Sequence, residues 1–320
     1  MDQVSLNERK VQARPQQKHK RNVFMPFLRN WELYVIISPV LAYYLIFEYF
    51  PMYGVQIAFK NFVATKGIWG SPWVGFRHFE RFFDSYYFWR LIKNTLGISL
   101  FQLAVGFPVP ILLALMINEA KSKWFKKTVQ TVTYAPHFLS TVVLVGMVVI
   151  FLSPQSGIFN QIIVLFGGEP ISFMTEPSWF KTIYVTSGVW QQMGWGSIIY
   201  LAALAGIDPQ LHEAAKVDGA TRLQRIWHVN LPGIMPTIVI LLILNMGSIM
   251  GVGFEKIYLM QNDLTLESSE VISTYVYKSG IIQSQYSFSA AVGLFNSVIN
   301  MILLVTVNYI ARRMNETSLW

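Results

Sequence analysis

Between Trp190 and Tyr200 the chain reads WQQMGWGSIIY, which sets two indoles, two amides and a phenol inside an otherwise apolar run. Amides in such a setting need interior hydrogen-bond partners or a water-lined cavity. Trp190, Gln191, Gln192, Trp195 and Tyr200 together suit a sugar ring: an indole covers the C–H face of a pyranose, and amides and hydroxyls meet its hydroxyl rim. Each residue alone also has an ordinary reading, with the tryptophans packed between helices and the glutamines bonding across them. The cluster points to a solute path. Asn94, Gln102, Tyr134, His137, Asn245 and Asn300 are further polar groups in apolar runs, where an isolated Asn or Gln is usually glue between helices.

A second group has a different chemistry. Ile207–Pro232, IDPQLHEAAKVDGATRLQRIWHVNLP, is a charged island between two apolar runs. Asp208 suits an N-cap and Pro209 the first helical position. Leu211, Ala214, Ala215 and Asp218 share one helical face, and Gly219 can stop that helix in a left-handed cap. Thr221 can cap a second short helix that ends before Leu231-Pro232. Glu213 lies about 200° around the helix from Leu211, so it points away from the small-residue face, available for a charge-assisted contact with a partner. An ordinary amphipathic connector is the competing reading.

The elements that must position these groups are membrane helices. Of 320 residues, 53% are hydrophobic and only 13% charged, whereas soluble domains carry about a quarter charged residues. Six apolar runs can span: Trp31–Phe50, Asn94–Ile117, Thr131–Leu152, Thr182–Gly206, Gly233–Phe254 and Phe288–Ile310. Pro108 and Pro110 should kink the second, and Pro136 should interrupt the third. Pro51–Arg90, Ser153–Trp179 and the polar stretch Glu255–Ser287 are expected outside. Most of the twenty-five Lys and Arg residues fall in the arm before Trp31, in Lys121–Lys127, in the island and at Arg312-Arg313. By the positive-inside rule this places both termini and the island in the cytoplasm. The expected layout is a basic arm over 1–30, one all-α polytopic membrane domain over 31–311, containing the island 207–232, and a cytoplasmic tail over 312–320. Basic clusters so placed report topology rather than nucleic-acid binding.

Several chemistries are absent. The chain has no cysteine, which removes thiolate nucleophiles and thiolate metal sites. No Ser/His/Asp arrangement, metal-ligand spacing or paired carboxylate stands out, and the five histidines are dispersed; neither a catalytic nor a metal site is expected. Spans two to six carry no Asp, Glu, Lys or Arg in their apolar stretches, where ion-coupled carriers often hold one. His137, their one titratable side chain, reads as a packing or hydrogen-bonding histidine. There is no G-x-x-x-x-G-K-[ST] phosphate loop. A transporter of this composition is a facilitator or draws its power from a partner.

Glu213-Ala214-Ala215, Gly219 after three residues, then Val229, Leu231 and Pro232 after nine more, resemble the EAA loop of bacterial ABC importer permeases, with Val229 where the family has Ile. The resemblance implies a type I ABC importer permease fold in the bacterial inner membrane. It makes Glu213, Ala214, Ala215, Asp218, Gly219, Leu231 and Pro232 the residues that dock on a cytoplasmic ATPase. It further implies a second homologous permease, two ATPase subunits that hold ATP and Mg, and an extracytoplasmic solute-binding protein, with no cofactor on this chain. PMYGVQIAFKNF (Pro51–Phe62), KGIWGSPWVGFRHF (Lys66–Phe79) and SPQSGIFNQIIVLFG (Ser153–Gly167) look like permeases for pectin, rhamnogalacturonan and alginate fragments. A uronate cargo needs donors or cations for its carboxylates, and since spans two to six offer no Arg or Lys, amides, hydroxyls, indoles and helix N-termini are expected to serve. The alternatives are an ABC importer for a non-sugar solute, a membrane receptor or assembly factor, and a secondary carrier without an ATPase.

Overall fold

The computed structural model describes residues 30–315, with side chains to Arg313. The basic arm, apart from Asn30, and the tail beyond Asn315 lie outside the described residues. The chain divides into two compact units between Gly54 and Val55.

The first unit is built on α1 (Trp31–Tyr44), which runs through a wide turn at Leu45–Tyr49 into Phe50–Met52. It is apolar all round, the pattern of a helix solvated by lipid or by other membrane helices.

The second unit is helical, with one isolated bridge, Lys60 to Trp73, as its only extended pairing among the described residues. After short helical turns at Tyr53–Phe59, Ala64–Lys66 and Gly67–Gly70 come α2 (Arg77–Phe83) and α3 (Phe88–Gly106). Phe107 separates α3 from α4 (Pro108–Glu119), where Pro108 opens a new helix, and the two run on as one helical stretch over Phe88–Glu119. Next come α5 (Lys123–Tyr134), α6 (Thr141–Phe151), α7 (Ile158–Leu165) and α8 (Pro177–Ala205). The charged island holds α9 (Pro209–Val217) and α10 (Arg222–Arg225). α10 does not end before Leu231-Pro232 as expected but runs on through a wide turn at Ile226–Asn230 into α11 (Leu231–Met246), because no residue there breaks the helix until its first turn is already formed. The chain closes with α12 (Phe254–Met260), α13 (Ile272–Tyr277) and α14 (Tyr286–Asn315).

Among the described residues four helical stretches are long and apolar enough to cross a membrane: Trp31–Phe59, Phe88–Glu119, Arg222–Met246 and Tyr286–Arg313. Thr131–Leu152 is not one interrupted rod, because Lys123–Phe138 and Thr141–Phe151 meet at 103°. Pro136 cannot donate to the ladder, the chain tightens over Ala135–Phe138, and the Ser140 hydroxyl caps α6 by accepting from the Val143 amide at 3.3 Å. The expected fifth span ends early, at Met246, and glycine-containing turns occupy 247–253.

Glu255–Ser287, expected as a polar outer segment, carries a buried apolar side. Ile257, Met260, Val271 and Ile272 are buried at 0–2% exposure. A composition average hid the apolar faces of short helices. Ile257, Met260 and Val271 join Ile98 of α3 and Phe180, Ile183 and Val185 of α8 in one core. Ile272 joins Phe82, Leu91, Phe288 and Val292 in a second. A third, built from Ile111, Ala114, Tyr200, Leu204 and Ile234, ties α4, α8 and α11 together beneath the charged island.

α8 is the hub. Gly194 lets it approach α5 so closely that a Cβ there would overlap the Thr133 carbonyl oxygen, and Gly196 lies against Pro110 of α4. Small residues permit such contacts between membrane helices, which associate by close packing rather than by the hydrophobic effect.

Candidate functional site

α8 presents two faces. Tyr184, Gln192, Trp195, Gly196, Ile199 and Tyr200 line a cavity of about 450 Å³, closed by Ser99, Gln102 and Gly106 of α3, Pro110 of α4, Asn245 of α11 and the turns at 251–253. A second recess of about 420 Å³ shares Gln102, Tyr184 and Gln192 with it and adds Gln191, Thr141, Gly188, Glu255 and Lys256. The helical period sets this division, since residues 184, 188, 192 and 195 return to one side.

Trp190, expected among the path residues, faces elsewhere. It is about 200° around α8 from Gln192, and with Phe151, Phe159, Ile183 and Thr186 it lines a separate, mainly apolar cavity of about 620 Å³. Asn94 is also diverted: it is 5% exposed, and its amide donates to the carbonyls of Glu267 and Glu270 at 2.8 and 3.1 Å. Its role in the fold is to tie α3 to the chain after α12. Tyr134 sits at the end of α5 beside the Gly194 contact and lines neither recess. Asn300, the weaker candidate on α14, accepts from the Met250 amide at 2.9 Å and so fixes the turn after α11.

The groups that do converge are ordered by one another. The His137 ring lies on Trp195 with centroids 4.3 Å apart, and its Nδ1 is 3.0 Å from the amide oxygen of Gln192. That oxygen accepts, so Nδ1 carries the proton. Gln191 donates to the Leu139 carbonyl at 3.0 Å, and Asn245 to Leu241 of its own helix at 2.7 Å. His137 and Leu139 both lie at the sharp bend between α5 and α6, so the bend carries groups to the cavity wall. The wall of amides, an indole–imidazole stack and tyrosines offers donors and acceptors around a flat apolar face.

The charged island forms a rigid helix–turn–helix. Asp208 Oδ1 accepts from the Gln210 amide at 2.9 Å, and Pro209 opens α9. Gly219 takes φ +76°, while the Ala220 amide returns to the Ala215 carbonyl at 2.8 Å. Thr221 and Gln224 form a capping box, with the Thr221 amide donating to Gln224 Oε1 at 2.7 Å. Glu213, Ala214, Asp218 and Pro232 are exposed, and Ala215 and Leu231 are half-buried. Leu211, Val217, Leu223 and Trp227 are exposed apolar neighbours.

Two features of the site were not legible in the sequence. Glu119, at the end of α4, stands 3.8 Å from Arg225 and accepts from the Asn230 amide at 3.3 Å, which fastens the island to a span. Lys256 is 8% exposed, donates to the Tyr184 carbonyl at 2.8 Å and lies on the Tyr184 ring. A cation therefore reaches the recess although no apolar stretch of spans two to six carries one. Only its chain distance from α8 concealed it.

Comparison with known proteins agrees with this architecture. Residues 106–316 match the family model described as binding-protein-dependent transport system inner membrane component. The chain is 44% identical over 304 residues to the polygalacturonan/rhamnogalacturonan transport system permease protein YteP of Bacillus subtilis (strain 168), covering 95% of this chain and 94% of that one. It is similar to a chain of a bacterial ABC transporter involved in the import of the acidic polysaccharide alginate, with TM-score 0.85 and 45% identity over 91% of this chain and 98% of the other. It also matches, with TM-score 0.86 and 44% identity over 93% and 99%, a chain of the bacterial alginate ABC transporter solved with an alginate pentasaccharide-bound periplasmic protein.

Proposed function

The chain belongs to the family of binding-protein-dependent transport system inner membrane components, as a non-catalytic permease subunit of an ABC importer, and on that footing we propose how it works and what it carries. It passes acidic oligosaccharides, fragments of pectin or alginate type, by alternating access. A second homologous permease lies beside it, two cytoplasmic ATPases hold ATP and Mg, and a solute-binding protein delivers the sugar from outside.

One observation carries this reading: α8 bears Gln192 and Trp195 on the cavity and Gln191 on the adjoining recess, and runs directly into the capped island that begins at Asp208. Movement of the island is thereby transmitted along one helix to the wall of the path. In the proposed mechanism the ATPases grip Glu213, Ala214, Ala215, Asp218 and Gly219, while Leu231 and Pro232 lead the pull into α11. Closure of the ATPases changes the affinity of the path for sugar by selecting between two states of the permease pair.

We place six spans in the membrane, both termini in the cytoplasm. At 29 residues α8 is about 43 Å long, enough for a hydrocarbon core of about 30 Å. Its polar face meets a cavity rather than lipid, so it can cross without the apolarity of the other spans. The bent α5–α6 pair completes the set.

Affinity purification of the chain from its host in mild detergent tests the assembly. Recovery of a P-loop ATPase, a second permease and a solute-binding protein is expected. Reproducible recovery of the chain alone after gentle crosslinking would overturn the reading in favour of a carrier or receptor.

A further inference from the structure

Lys256 sits where a neutral side chain would be simpler. It is buried beside the amide-lined recess, in contact with Gly188 and within the same wall as Gln102, Gln191 and Gln192. No carboxylate among the described residues pairs with it; the ion pairs there join Arg90 and Lys278 to Glu270, and Arg225 to Glu119. Glu255 lines the recess too, but is exposed and lies outside those pairs. The Lys256 ammonium has three donors, of which one is spent on the Tyr184 carbonyl, and the Tyr184 ring covers one side. An ammonium held away from water without a counter-charge is costly. That cost is offset when an anion enters, because the cation is already desolvated and fixed in place.

We propose that Lys256 is the specificity-determining cation of the path, receiving the carboxylate of an acidic sugar while Gln102, Gln191 and Gln192 meet its hydroxyls. The inference rests on the oligosaccharide-import reading above and adds to it the residue that favours uronates over neutral sugars. Gly188 is part of the device: its missing side chain leaves the space next to the ammonium, where a Cβ would stand 3.2 Å from Nζ. The carboxylate would make a charge-assisted hydrogen bond, shorter and stronger than those offered by the surrounding amides.

The test is ATP-driven uptake of labelled trigalacturonate and of a tri-uronate from alginate into proteoliposomes. These hold the complete importer with its binding protein, carrying wild-type chain, Lys256→Gln or Lys256→Arg. Gln keeps a donor for the Tyr184 carbonyl but removes the charge, whereas Arg keeps the charge. Uptake of the sugar that wild type carries is expected to fall about tenfold or more with Gln, and to stay within about threefold of wild type with Arg. Equal uptake by wild type and Gln, or equal loss with Gln and Arg, overturns the proposal. A Lys256→Gln importer that fails to assemble also overturns it, by assigning the lysine to packing. Wild type that takes up neither uronate overturns the oligosaccharide reading itself, and the proposal with it.

Discussion

His137 lies flat on Trp195, with ring planes 3° apart, across the join between the α5–α6 bend and α8. Stacked rings of this kind contribute about 0.5–1.5 kcal/mol beyond their area, enough to hold the indole in one orientation at the cavity wall. The hydrogen bond from His137 Nδ1 to Gln192 fixes the amide at the same time. One residue from the bend thus orders two residues of α8 whose side chains line the cavity.

Trp195→Ala should therefore raise the apparent KM for oligosaccharide uptake about fivefold or more, the order expected when a stacking face worth about 1 kcal/mol is lost. Trp190→Ala, on the opposite face of α8, should leave KM within about twofold. Initial-rate uptake in proteoliposomes separates the two. An equal effect of both would contradict the division of α8 into a path face and a packing face.

Gly194→Ala should destabilise the protein by about 1–3 kcal/mol, the usual cost of overpacking, because its Cβ meets the backbone of Thr133, which cannot turn aside as a side chain can. Gly146→Ala is the control, since nothing lies within 4 Å of its Cβ position. Thermal loss of the monodisperse peak in detergent should shift down for the first and remain in place for the second.

Glu119→Gln removes the charge that holds Arg225. Both side chains are partly exposed, so the loss in stability should be small, about 1 kcal/mol or less. The functional loss should be larger: a severalfold fall in uptake with ATP hydrolysis retained, as the charged part of the island's attachment to α4 is lost. Parallel assays of phosphate release and uptake check this, and unchanged uptake would remove Glu119 from the transmission.

The island could be read from sequence nearly residue by residue because its signals are local. Asp208, Pro209, Gly219 and Thr221 act on the backbone within a few positions of themselves, and each occupies the cap or turn its type suits. Apolar runs located most helices for the same reason. Information was lost wherever distant segments meet. Pro136 foretold an interruption but not a 103° turn, at which His137 and Leu139 meet Gln192 and Gln191 of α8. Average polarity concealed the buried faces of 255–287. Asn94 and Gln192 look alike in sequence, yet one meets backbone carbonyls and the other a cavity. Trp190 is different: its separation from Gln192 around α8 follows from the helical period alone.

The most direct test of coupling measures ATP hydrolysis and oligosaccharide uptake together, in proteoliposomes of the complete importer with Glu213→Ala or Gly219→Asp. Gly219 holds a left-handed conformation that costs an ordinary residue about 1 kcal/mol or more, and Glu213 is exposed. The account predicts that uptake falls about tenfold or more in both variants while the chain stays inserted and hydrolysis continues. Full ATP-driven uptake by both would contradict the assignment of Asp208–Leu231 as the element through which the ATPases drive this permease.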